Sequence, residues 1–98
     1  MLKALLADDP NNKFARYGLA MECAKAGQLD TAVSEFRALI AIDPDYCAAY
    51  FHGGQALERA GDVEQARTMY EQGIEAATRT GDAHTRGELQ SALDLLPL

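Results

Sequence analysis

Two histidines, two cysteines and two isolated serines are the side chains in this 98-residue sequence best suited to chemistry. A metal site needs three or four nitrogen, sulfur or carboxylate ligands brought together, usually announced by short spacings. His52 and His84 are far apart in the chain, and the reading finds no Cys or acidic residue at ligand spacing to either. Ser34 and Ser91 have no neighbouring base to activate a hydroxyl, and no glycine-rich loop could cradle a phosphate. The carboxylates are scattered. Asp30, Asp62 and Asp82 each fall just past a turn, where helix capping accounts for an acidic residue. Cys23 lies on an apolar stripe and reads as a small core residue, while Cys47 at a helix start is expected to be partly exposed. Neither needs a disulfide. The expectation is a non-enzyme with no catalytic residue, cofactor or metal.

Bulk properties narrow the partners. The formal net charge is −6, from 15 acidic against 9 basic residues, which argues against a nucleic-acid backbone as ligand. No apolar run approaches the length of a membrane span, so no membrane role is expected. The first residues, Met1-Leu2-Lys3-Ala4-Leu5-Leu6, meet Asp8-Asp9 too soon to form a signal peptide, and the expected location is cytoplasmic.

The elements that would position any site follow from an internal repeat. Asp9-Pro10 recurs as Asp43-Pro44, 34 residues later. At that offset Ala15 matches Ala49, Ala26 matches Ala60, Gly27 matches Gly61, Ala32 matches Ala66 and Ile40 matches Ile74. Tyr17 answers to Phe51, Leu29 to Val63 and Phe36 to Tyr70. A helix–turn–helix unit of this length cannot bury its apolar face alone, so it stacks on its neighbours as a solenoid. Ala is abundant and β-branched residues are sparse, which favours helix throughout.

Residues 1–8 carry Leu2, Leu5 and Leu6 at helical spacing, and Ala4-Leu5-Leu6-Ala7 aligns with Ala38-Leu39-Ile40-Ala41. This predicts the second helix of an incomplete unit. A helix from Asn11 to Ala26 follows, capped by Asn11 or Asn12 and ended by Gly27. The next opens near Asp30 and ends at Asp43-Pro44. A fourth opens at Asp45 or Tyr46 and runs to Gly61, and a fifth runs from about Asp62 to Arg79 or Thr80. Gly81 breaks it, and Asp82 caps a final helix with Leu89, Ala92, Leu93 and Leu96. Connections of two to five residues make successive helices antiparallel neighbours. The predicted fold is all-α: a single domain, 1–98, built as an antiparallel helix–turn–helix solenoid of about six helices.

This pattern resembles the tetratricopeptide repeat. Leu19, Ala20, Gly27, Ala32, Phe36, Leu39 and Pro44 carry the likeness in residues 13–46, and Tyr50, Gly54, Leu57, Gly61, Ala66 and Tyr70 carry it in 47–80. Residues 1–10 then read as a half-repeat helix and 81–98 as a capping helix. Arg16, Gly53, Gly73 and Thr78 depart from the usual large apolar residue, Leu, packing Ala or Leu, and Pro.

The resemblance implies a concave groove lined by the first helix of each repeat and a role in protein–protein interaction. The groove residues it implies are Phe14, Tyr17, Met21 and Lys25, then Phe51, His52, Gln55 and Arg59, with Lys25 and Arg59 as a charged rim. Gly18, Ala24, Ala48 and Glu58 are expected to face the same way. The best-known groove of the family holds a C-terminal carboxylate between Lys and Asn side chains. Tyr17, Met21 and His52 occupy those places here, so that mode is not expected. The partner is expected to be a protein or peptide lying in the groove; the alternative is a homodimer in which the apolar faces self-associate.

Overall fold

The computed structural model describes residues 1–97, and these form six α-helices and no strand. They are α1 (Leu2–Asp8), α2 (Lys13–Lys25), α3 (Leu29–Ile42), α4 (Cys47–Arg59), α5 (Val63–Thr80) and α6 (Ala83–Asp94).

Local chemistry explains the ends. Asn12, rather than Asn11, caps α2 by accepting from the Ala15 N–H at 3.0 Å. Asp62 and Asp82 cap α5 and α6 in the same way, each accepting at 3.1 Å. Asp30 does not cap. It lies inside the first turn of α3, whose N-cap is Gln28 with no side-chain bond, so its charge acts only on the free N–H end of the helix. Gly27 and Gly61 adopt φ of +81° and +85°, and the N–H groups of the residues after them, Gln28 and Asp62, bond back to the carbonyls of Cys23 and Leu57.

Each helix packs on the next in sequence. In addition the backbones of α2 and α4, and of α4 and α6, come close, while those of α1, α3 and α5 stand further apart, α3 and α5 being bridged by the Arg37–Gln65 hydrogen bond at 2.6 Å. Helices on the inside of a curve must crowd and those on the outside must splay, so α2, α4 and α6 form the concave layer. The molecule measures 41 × 30 × 17 Å, and its smallest dimension is under two helix diameters.

The core consists of two buried clusters, with the partly buried Val33 and Ile40 packed against both. Phe36 and Leu39 of α3 and Met69 and Tyr70 of α5 are its largest members, joined by Leu89 of α6. Small residues make the close approaches. A Cβ added at Gly54 would lie 2.2 Å from the Tyr70 ring, and one at Gly73 would lie 2.6 Å from Tyr50 Cβ and 3.0 Å from Leu89. Gly53 and Gly73, which depart from the family pattern, are thus filled from the opposite side by Phe36 and Met69 and by Tyr50 and Leu89. Arg16 departs for another reason: it pairs with Glu35 at 3.0 Å and donates to the Pro10 carbonyl at 2.8 Å. Where Pro would stop α5, Thr78 bonds the Ile74 carbonyl at 2.7 Å and the helix continues to Thr80.

Cys47 is buried, not partly exposed as expected. The start of α4 lies against the end of α5, and its thiol lies 3.6 Å from the Thr80 hydroxyl. Cys23 is buried, and both thiols are free. Among the described residues no helix is long and apolar enough to cross a membrane.

Candidate functional site: the concave wall

Two adjoining clefts occupy the concave layer. The first, about 500 Å³, lies between α2 and α4 and is lined by Met21, Ala24, Lys25, His52, Gln55 and Arg59, with Glu22 and Ala56 completing it. The second, about 620 Å³, lies between α4 and α6 and is lined by Phe51, Gln55, His84, Gly87, Glu88, Ser91, Ala92 and Leu95. Gln55 belongs to both, so they form one lane across three helices.

The helical period explains this convergence. Met21 and Lys25 are one turn apart on α2, as are Phe51, Gln55 and Arg59 on α4, and residues four apart share a face. Tyr17 lies at the base of the wall, its ring 6.4 Å from Phe36, 5.4 Å from Tyr46 and 6.0 Å from His52. His52 stacks on Phe36 at 6.3 Å and meets the edge of Phe51 at 5.3 Å. Tyr17 and His52 anchor the wall to the core, and His52 also lines the first cleft, whereas Tyr17 lines neither.

Burial sets the electrostatics. It pushes the Tyr17 hydroxyl above its ordinary value, with the neighbouring Tyr46 adding to the shift. Burial also lowers the His52 imidazole below 6.5, against a weaker opposing pull from its bond to Gln55 and from the charge of Glu88 across the lane. His52 is therefore neutral at pH 7. The wall is aromatic and apolar at its centre, with the Gln55 amide to bond a main chain or polar side chain.

Besides Tyr17, five expected positions behave differently: Gly18 faces Leu2 of α1, and Ala48 lines neither cleft. Phe14 is 73% exposed and lines neither cleft, because it precedes Tyr17 by most of a turn and lies beyond the wall's end. Arg59 lines the first cleft, but its guanidinium donates to the Ala24 carbonyl at 2.9 Å, so it ties α4 to the end of α2 and is not a free rim charge. Glu58 turns away from the lane and accepts from the Tyr70 hydroxyl on α5. Burial and that bond hold the Tyr70 phenol well above its usual range.

The sequence reading missed the contribution of α6. Gly87, Glu88, Ser91, Ala92 and Leu95 line the second cleft, although 81–98 was expected only as a cap. A signal was present. Ala56-Leu57 recurs as Ala92-Leu93, but 36 residues on, so a strict slide by 34 does not align it. The reading also placed no acidic residue near His84. Glu88 lies one turn further along α6, 3.5 Å from the imidazole. Among the described residues no three His, Cys, Asp or Glu side chains gather in a way that could hold a metal ion.

The fold agrees with what the chain is similar to. The family profile of the tetratricopeptide repeat matches residues 24–93. A TPR repeat-containing protein of Pseudomonas aeruginosa is 32% identical over 88 residues, spanning 90% of this chain and 84% of its own. Among solved structures, a tetratricopeptide repeat domain protein from Salinibacter ruber superposes with a TM-score of 0.79 at 39% identity, covering 87% of this chain and 86% of that one. YrrB, described as a TPR protein with an unusual peptide-binding site, superposes with a TM-score of 0.84 at 26% identity, covering 96% of this chain and 45% of that one. The chain belongs to the tetratricopeptide-repeat family.

Proposed function

We propose that this protein is a non-catalytic interaction scaffold that binds a peptide segment of a partner protein along the lane formed by α2, α4 and α6. One observation carries the reading: Met21, Phe51, His52 and Gln55, from two helices, line adjoining clefts on the concave side. Accessible Met and aromatic side chains with one central amide suit an amphipathic segment. The similarity to YrrB, itself described as having a peptide-binding site, supports the same reading. Proteins of this family are generally interaction modules and not catalysts.

Site-specific photo-crosslinking tests it. A photoreactive residue at Gln55, inside the lane, captures protein partners from lysate, while one at Glu71, exposed on α5, does not. Equal capture from both positions would place binding elsewhere.

The homodimer is the second reading, favoured by the 73% exposed Phe14 outside the lane. Light scattering across a concentration series separates the two. A mass that rises to twice 10.6 kDa supports self-association, and a constant monomer mass removes it.

A further inference from the structure

Five glycines lie inside helices, and four have a packing reason. Gly18 meets Leu2, Gly53 meets Phe36 and Met69, Gly54 meets Tyr70, and Gly73 meets Tyr50 and Leu89. Gly87 is different. A Cβ built there would meet nothing within 4 Å, although glycine in a helix interior costs about 1 kcal/mol relative to alanine. It lines the second cleft beside Phe51, Ala92 and the 84% exposed Leu95. Ser91, one turn later on α6, keeps the same face low.

The charges at the two ends of the lane are opposite. Lys25 lines the first cleft and has no ion pair among the described residues; Arg59 and Glu22 line the same cleft, which leaves one net positive charge there. Glu88 stands on the second cleft, and among the described residues its only ion-pair partner is His84, 86% exposed in its side chain. A partner crossing the lane therefore meets a cation at one end and a carboxylate at the other. Such complementarity fixes orientation more than it adds affinity.

Resting on the groove reading above, we propose that the occupant is an amphipathic α-helix of a partner protein, its main chain seated close on Gly87 and Ser91. It presents a basic residue to Glu88, an acidic residue to Lys25, and apolar residues to Met21 and Phe51. Low side chains under a helix let its axis approach, as interhelical distances depend on the residues at the contact.

The test is a displayed library of random peptides about 16 residues long, enough for about 24 Å of helix, panned on the full chain. Enriched peptides carry apolar residues at three- and four-residue spacing, with Lys or Arg near one end and Asp or Glu near the other. Their affinity falls at least tenfold on Gly87→Leu, which folds because the added side chain starts in open space. On Glu88→Lys, panning selects an acidic residue in place of the basic one. Enriched peptides without helical spacing, or binding indifferent to both substitutions, would overturn the proposal. If such peptides still lose binding on Met21→Glu with Gln55→Glu, the groove reading survives alone. No enrichment on the unmodified chain sinks both.

Discussion

At the residue scale, two glycines of the same chemical type carry opposite expectations. Gly54→Ala places a methyl group 2.2 Å from the Tyr70 ring, which is locked in the core between α4 and α5. It is expected to destabilise the protein by about 1–3 kcal/mol, read as a lower urea midpoint. Gly87→Ala adds the same methyl group to open space and is expected to stabilise α6 by about 0.5–1 kcal/mol. His52 gives a pH expectation. Its folded pKa lies below the ordinary 6.5, so between those values the unfolded chain binds the extra proton. This contribution to stability is complete above 6.5, declines as pH falls from there to the folded value, and is flat below it. Thermal melts across that range show the loss in the wild type, and His52→Gln removes that share of it. The cleft-lining Met21, Phe51 and His52 were legible as residue types, because they fall at the spacing of the family's first helices. What spacing does not encode is occupancy. Arg59 was expected to be free, but the end of α2 presents the Ala24 carbonyl within its reach, and Arg59 donates to it beside the Gly27 N–H.

Helix ends set the next scale. Asn12 holds the start of α2, and Asn12→Ala is expected to cost about 1 kcal/mol, measured by chemical denaturation. Asp82 caps α6, and its bonds to Thr85 hold its carboxyl below the ordinary 3.8. The stabilisation it gives is present above that value and is lost as pH falls through the folded pKa. Asp82→Asn keeps a capping oxygen and removes this acid dependence of α6, which amide exchange on that helix reports. The elements themselves were readable from glycines, prolines and apolar spacing, and their ends fall within about three residues of expectation. Asp30 shows why ends are the harder part. A capping residue and a first-turn acid are both favourable near a helix start, and only the backbone angle at Gln28 separates them. The burial of Cys47 could not be read either, because it depends on where the end of α5 returns, 33 residues later.

For the whole molecule, the alternation of helices produces a crowded layer and a splayed one, and the crowded layer is the concave wall. The 34-residue period predicted a solenoid correctly because stacking is the one way such units bury their apolar faces. It could not show that α6 is a third wall of the lane. The longer α5 shifts α6 by two residues, out of the period but still into the concave layer. A binding surface assembled from α2, α4 and α6 should be sensitive to substitutions on the lane and indifferent to those on the outer helices. The most direct test is the equilibrium affinity of one partner peptide for three forms of the chain. These are the wild type, a lane variant with Met21→Glu and Gln55→Glu, and an outer variant with Glu71→Lys and Glu75→Lys. All three should melt alike, since none of these positions is fully buried. Affinity should fall at least tenfold in the lane variant, a loss of at least about 1.4 kcal/mol, and stay within twofold in the outer one. Equal affinity for wild type and lane variant, or a loss confined to the outer variant, would contradict the assignment of binding to the concave wall.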